Sequence, residues 1–528
     1  VRRITLSGLA AALLLGLVLV PPAFASPLLT LRADGTTYAH EDRLLPPADA
    51  VVPAPDGARV APAPATRRLG ARGADAKLTV PGELARLLAT GAIDQATHDD
   101  KTRIYAEAQR LRSKLDGARK ASLGAVLRNL EDVAAAGGLT ASRLPALFET
   151  VARNREWWAN GPLLANGARV SFEGSKLVWQ FYAGEGLQIQ WLGTFGKANG
   201  LWTGGYDTAL RALVGETIAF ASQRAGGLAW EYLLRFDGGR PPWVSGLAQG
   251  TAVQAIARAG VRLNEPAFLE AARLGLGVFR EAPPSGVRVV TPAGSHFLIY
   301  SFAPGLRVLN AFTQAVNGLH DYAQLAKDPE GQALFAAGEA QLRAELPAYD
   351  TGGWSRYSTV RDADVHYHVV ARDFLTGLCQ RLTADAVAPP RVPAAPTGGA
   401  VPVAAPAPPP AALDPSPYCA AAQRWTAYVT QPPKLVLIST KVRGGTPATV
   451  KVALNKPAYV TLRVRSGGRT VVVLGGQLSS GVRTLRWPKP PRTAGSLRVE
   501  LSAKDITGKR SSGKGALRVL KARGRKKR

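Results

Sequence analysis

Apolar residues recur at helical spacing through most of the chain. From residue 81 they do so at 84–88, 104–115, 123–133 and 144–151, with glycine-containing turns such as Ala136-Gly137-Gly138 between them. The period shortens to two at 170–172 and 177–181, around Glu173-Gly174, which predicts a strand pair at the lip of a cleft. Helices are predicted again at 206–223, 246–260, 265–279, 308–325, 331–346 and 364–382, with small strands at 228–236, 287–291 and 296–302. Helix pairs of this size, joined by short turns at one end and by loops or hairpins at the other, predict an incomplete (α/α) toroid with small β-hairpin insertions. Beyond residue 433 the period is two: 448–454, 458–464, 470–474, 482–487 and 497–502 read as short strands punctuated by Gly, Pro and Asn. They predict a C-terminal all-β immunoglobulin-like sandwich.

The stretches between these patterns divide the chain of 528 residues, which is too long for one core. Residues 1–25 read as an export signal, with Arg2 and Arg3 ahead of an uncharged apolar run from Leu6 to Val20 and small residues at Ala23-Phe24-Ala25. The expectation is cleavage after Ala25, leaving a secreted or cell-surface protein without a transmembrane span. Residues 26–77, rich in Ala, Pro, Arg and Gly and lacking a sustained hydrophobic period, predict a disordered leader. The helical domain is expected over 78–385, an Ala/Pro-rich linker and connecting segment over 386–432, the β-sandwich over 433–520 and a basic tail over 521–528.

Charge changes the picture of the last module. The formal net charge is +28, and residues 434–528 hold 24 Lys and Arg against two acids, Glu500 and Asp505, so +22 of it lies there. Such a field fits an anionic polymer or surface: acidic polysaccharide, wall glycan or anionic lipid, with no nucleic acid expected for an exported protein. A basic surface that serves solubility alone is the alternative. The two cysteines of the chain, Cys379 and Cys419, are expected to pair in an oxidising compartment, closing a loop of about 40 residues; two unrelated thiols remain the other possibility. No Gly-rich phosphate loop, dinucleotide fingerprint or nucleophile elbow occurs, so no cofactor is expected. His366 and His368 lie two apart but have no third partner in the sequence, so no metal is expected.

Candidate chemistry concentrates between residues 300 and 368. The blocks are Tyr300-Ser301-Phe302-Ala303-Pro304, Val308-Leu309-Asn310-Ala311-Phe312, Tyr349-Asp350-Thr351-Gly352-Gly353-Trp354-Ser355-Arg356-Tyr357 and His366-Tyr367-His368, preceded by Trp243-Val244-Ser245-Gly246-Leu247-Ala248-Gln249-Gly250. In this order and spacing they resemble the C-terminal domain of D-glucuronyl C5-epimerases, over roughly residues 184–382. The resemblance implies an (α/α) toroid and three active-site tyrosines, Tyr300, Tyr357 and Tyr367, around a uronic acid. It departs from the family at three places: Ile299 stands where an acidic residue precedes the first tyrosine, Val360 where an arginine follows the second, with Arg361 adjacent, and Ala371 where a second histidine is expected.

Epimerisation at carbon 5 removes the hydrogen beside the carboxylate and returns one from the opposite ring face. Two proton carriers must therefore flank the sugar, and a phenol serves as base only where positive charge or hydrogen bonds lower its pKa. Tyr300 and Tyr367 are the expected opposed carriers, with Tyr357 on the carboxylate. Arg307, Arg356 and Arg361 are the candidate carboxylate partners. Asn310, Gln249 and His368 are candidate substrate-binding residues, and Trp191 and Trp202, in a Gly-rich stretch, are candidates for stacking on sugar faces. A polysaccharide lyase, which would follow the same proton abstraction with β-elimination, and a non-catalytic glycan-binding surface protein are the competing readings.

Overall fold

A computed structural model describes residues 26–46, 78–387 and 413–521. The expected signal segment, the linker at 388–412 and the basic tail from residue 522 lie outside the described residues. The protein comprises a helical body with small sheets and a C-terminal β module.

Two helices at the centre, Gly246–Arg262 and Leu309–Ala326, are buried around nearly their whole circumference, as a helix without a dominant polar face must be. Their backbones touch at glycines. A Cβ on Gly318 would lie 2.1 Å from the carbonyl oxygen of Gly250, and one on Gly250 would lie 2.7 Å from the Cα of Ala315. Trp191–Gly204 and Pro266–Leu274 pack on the first of these helices, and Pro329–Glu345 and Val365–Val387 on the second. Side-chain caps fix where several helices begin: Asp94 accepts from the Thr97 N–H (2.8 Å), Ser245 from Ala248 (3.4 Å) and Asp328 from Gly331 (3.1 Å).

The N-terminal segment differs from the expected disordered leader. Ser26–Leu31 and Thr37–Asp42 form an antiparallel pair, and the first runs parallel to Arg169–Phe172 in a five-stranded sheet completed by Trp179–Tyr182 and Gly186–Ile189. Leu28 and Leu31 are buried there, and the Thr30 and Ser171 hydroxyls bond at 2.6 Å. The partner that orders the segment is some 140 residues away in sequence, so no local periodicity announces it. Residues 47–77 of the expected leader lie outside the described residues.

The segment expected to connect the two modules contains a helix, Ser416–Thr430, whose Tyr418 and Trp425 are buried. Cys419 on it is bonded to Cys379 on the helix Val365–Val387. Closing a loop of that length stabilises the fold by about 4 kcal/mol in the chain-entropy treatment.

In the β module, Leu435–Leu437, Ala448–Leu454 and Gly481–Trp487 form one sheet. Lys441–Arg443, Arg510–Leu520, Gly495–Asp505, Ala458–Ser466 and Arg469–Leu478 form a second. Alternate residues of both sheets, among them Val450, Val452, Val460, Leu462, Val499 and Leu517, share one apolar core. Arg510–Leu520 was not expected as a strand; its run of Ser, Gly and Lys hides the alternation until Leu517 and Val519.

Candidate functional site: a cluster of tyrosines

The site is assembled on Trp243. Its segment pairs with that of Tyr232 through two backbone hydrogen bonds (2.8 and 3.2 Å), and the two rings stack with centroids 4.5 Å apart. Glu231, next to Tyr232, is held by Arg143 and Arg224, each with a contact of 2.6 Å, which fixes this strand from the other side. The segment carrying Tyr300 runs alongside: the Ser301 N–H donates to Val244 O (3.0 Å) and the Val244 N–H to Ser301 Oγ (3.2 Å). Tyr300 thereby meets the Trp243 ring edge-on at 5.3 Å and stacks on Phe302 at 5.1 Å.

Tyr357 and Tyr367 come from the other side. Tyr357 lies on the short strand Arg356–Ser358, and Tyr367 on the first turn of Val365–Val387, where its N–H donates to Asp364 Oδ1 (2.8 Å). Their rings lie 4.7 Å apart, and the Arg361 guanidinium sits over the Tyr357 ring at 4.4 Å. All three tyrosines are nearly fully buried. Among the described residues, the Tyr300 hydroxyl has no hydrogen-bond partner. Burial pushes its pKa well above the ordinary phenol value, and the neighbouring Tyr357, Tyr367, Tyr232 and Asp237 push the same way. Tyr300 is therefore held as the neutral phenol.

A second pair of phenols is joined by Gln190: its Nε2 donates to the Tyr182 hydroxyl (2.7 Å) and its Oε1 accepts from Tyr232 (3.1 Å). Burial raises the pKa of both. These residues, with Trp243, Ile299 and Tyr300, line a cavity of about 30 Å³, room for a water or two. Leu192 and Leu247 separate it from a larger hollow of about 280 Å³ lined also by Pro46, Asn310, Gln314 and Phe374. Asn310 Oδ1 is buried, with no partner among the described residues.

Other candidate residues lie elsewhere or are already engaged. Gln249 is a packing residue: its Nε2 donates to Leu228 O (3.0 Å) and Gly275 O (2.9 Å), and its Oε1 accepts from Trp230 N (3.3 Å). Trp191 is buried, donates to Glu231 O (2.8 Å) and stacks on Phe195, which leaves no face for a sugar. Trp202 carries the Arg258 guanidinium at 4.5 Å. Arg307 pairs with Glu345 (3.4 Å), and Arg356 donates to Thr359 O (3.3 Å).

His368 is a structural clamp. Its Nδ1 accepts from the Ser355 N–H (3.2 Å) and lies 2.7 Å from Ser355 Oγ, its Nε2 donates to Trp425 O (2.9 Å), and its ring stacks on Trp354 at 3.8 Å. Burial lowers its pKa to about 4. Among the described residues, no group of three or more His, Cys, Asp or Glu is placed to hold a metal ion.

Tyr232, Gln190 and Asp237 were not singled out from the sequence. Only the density of aromatics between residues 230 and 243 hinted at the first. Asp237 sits in the turn that joins the strands of Tyr232 and Trp243, with a φ of +45°; nothing local marks it as facing Tyr300.

Residues 226–387 match the family model described as D-glucuronyl C5-epimerase C-terminus. A D-glucuronyl C5-epimerase of Caenorhabditis elegans is 33% identical over 130 residues, covering 22% of this chain and 21% of the relative. This chain thus matches about a fifth of that relative's length. The solved structure of endo-β-1,4-glucanase CMCax from Acetobacter xylinum matches with a TM-score of 0.26 and 12% identity, over 36% of this chain and 67% of that one, a likeness too loose to define a fold. The stretch that carries Tyr300, Tyr357 and Tyr367, residues 226–387 of this chain, belongs to the D-glucuronyl C5-epimerase C-terminal family.

Proposed function

We propose that this protein inverts carbon 5 of uronic acid residues in a polysaccharide, without a cofactor, by tyrosine-mediated proton abstraction and return. One observation carries the reading: Tyr357 and Tyr367 lie ring to ring beside Arg361, and the buried Tyr300, from a third segment of the family domain, lies near enough for both to raise its pKa.

Roles follow from the surroundings of each ring. Tyr367 is assigned as the base that takes the hydrogen from carbon 5, and the C–H electron pair passes into the carboxylate as an enolate. Arg361 and Tyr357 stabilise that charge. Tyr300, kept neutral by burial, returns a proton to the opposite face. Proton exchange with solvent then restores the two phenols to their starting states. Asn310, which lines the adjoining hollow, is assigned to a sugar hydroxyl. The cavity beside Tyr300 is smaller than a sugar ring, so substrate binding requires its lining to open.

The helical body fits an incomplete (α/α) toroid, its central helices being the inner members of helix pairs, and the β module fits an immunoglobulin-like sandwich, its two sheets sharing one core. The Cys379–Cys419 bond supports an exported, secreted or surface location. The basic module is proposed to meet acidic polysaccharide or another anionic polymer.

Incubation of the protein in heavy water with polymers of glucuronic, iduronic and related acids tests the reading. Deuterium at carbon 5 by NMR, with no ultraviolet absorbance from an unsaturated product, is the expected result. Absorbance would identify a lyase. Binding with no exchange on any uronan would overturn the enzymatic reading in favour of a glycan-binding protein, the outcome that the apolar Ile299 beside Tyr300 favours.

A further inference from the structure

The outward face of the larger sheet of the β module is a patterned surface. Alternation along Ala458–Ser466 and Gly495–Asp505 sends Val460, Leu462, Val499 and Leu501 into the core and leaves Tyr459, Arg463, Arg498 and Lys504 outside. Register places Tyr459 opposite Lys504, Lys504 opposite Arg510, and Thr461 and Ser512 on either side of Ser502. Tyr459 is 58% exposed. These residues line an open hollow of about 370 Å³. It joins an aromatic face, a row of small hydroxyls and two cations, with no carboxylate in its lining.

The hollow lies at the end of the sheet that abuts the helical body. Three residues before Tyr459, the Lys456 amine is buried against Trp354 (5.2 Å) and donates to Tyr428 O (2.7 Å) and Gln431 O (2.6 Å). Next to Lys504, Asp505 accepts from that same amine (2.9 Å). Ser480 donates to Asp362 through its N–H (2.6 Å) and its hydroxyl (2.8 Å). Trp354 and Asp362 bracket the loop that carries Tyr357 and Arg361. At most about 3.3 to 3.6 Å per residue, the three residues from Lys456 place Tyr459 within about 10 Å of this contact.

We propose that the hollow formed by Tyr459, Lys504 and Arg510 is a binding site for a linear uronic acid polymer, holding one part of a chain whose other part enters the tyrosine cluster. The chemistry matches that class: the phenol ring stacks on a sugar face, Thr461, Ser502 and Ser512 meet sugar hydroxyls, and the two cations meet carboxylates that recur along the polymer. A lipid surface would use the charge but not the hydroxyl row. The proposal rests on the epimerase reading only for the class of polymer.

The test uses the full chain and immobilised polyglucuronate, a glucuronate tetrasaccharide and phosphatidylglycerol vesicles. A triple variant, Tyr459→Ala with Lys504→Gln and Arg510→Gln, alters exposed side chains; a control, Lys451→Gln with Arg486→Gln, removes the same charge from the other sheet. The triple variant is expected to bind polyglucuronate about tenfold more weakly and to raise KM for the polymer with kcat unchanged. Its kinetics on the tetrasaccharide, and binding by the control variant, should stay within twofold of the parent. Equal losses in both variants, no loss in the triple variant, or loss of vesicle binding alone would each overturn the proposal. If no protein exchanges deuterium yet only the triple variant loses the polymer, the epimerase reading fails and the binding site stands.

Discussion

Tyr300 combines two properties that rarely go together: its hydroxyl is buried, and no group among the described residues bonds to it. A buried hydroxyl without a partner costs stability, so removing it should not weaken the fold. Tyr300→Phe is therefore expected to melt at the parent temperature or slightly above it, while deuterium exchange at carbon 5 falls by about a hundredfold or more. Calorimetry and NMR together check this, and a large loss of stability would show that the hydroxyl has a structural partner. His368 makes the opposite prediction. Its folded pKa of about 4 lies below the ordinary 6.5, so the unfolded chain binds the extra proton first. Its contribution is complete above about pH 6.5, is lost as pH falls toward 4 and changes no further below that. The full loss is about 3 kcal/mol, readable as a falling urea midpoint across that window and as a shallower fall in His368→Gln.

Elements are held by contacts that a residue type alone does not reveal, and two glycines demonstrate it. In the helix Leu309–Ala326, Gly318→Ala gains helix propensity of about 1 kcal/mol but drives a methyl to 2.1 Å from a carbonyl oxygen of the neighbouring helix. Overpacking dominates, and a net loss of roughly 2 kcal/mol or more is expected from denaturant titration. In Asp207–Ala219, Gly215→Ala meets nothing within 4 Å, so the propensity gain remains and the midpoint should rise. Legibility follows the same division. The helices at 246–260 and 308–325 were readable because their apolar residues repeat within a few positions. The strand Ser26–Leu31 was not, because Arg169–Phe172 orders it from far along the chain. Gln249 and Trp191 show a related effect: a polar or aromatic side chain looks available in sequence until its internal partners at Leu228, Gly275 and Glu231 are known.

At the scale of the whole molecule, the β module meets the helical body where its own buried ion pair, Lys456 with Asp505, reaches the end of the helix Ser416–Thr430. Lys456 and Asp505 are both almost wholly inaccessible, and the amine also closes the end of the helix Ser416–Thr430. Lys456→Met leaves the Asp505 carboxylate buried without its cation, which should cost about 3 to 5 kcal/mol. Because Trp354 and the Tyr357 loop rest on this contact, exchange activity should fall with it; full activity in a destabilised Lys456→Met variant would show that the site is independent of the module. Deleting residues 434–528 is accordingly expected to disturb the tyrosine cluster as well as to remove the basic surface.

What the sequence determined by itself is what depends on neighbours along the chain: helical and strand periods, the segregation of positive charge beyond residue 434, and the ordered blocks that carry the family likeness. Only the tertiary structure decided which side chains were already engaged, that Tyr300 lies desolvated near Tyr357 and Tyr367, and that the basic module seats against their loop. Periodicity is a property of consecutive residues, whereas solvation, proton affinity and convergence are set by groups that lie far apart along the chain and become neighbours only on folding.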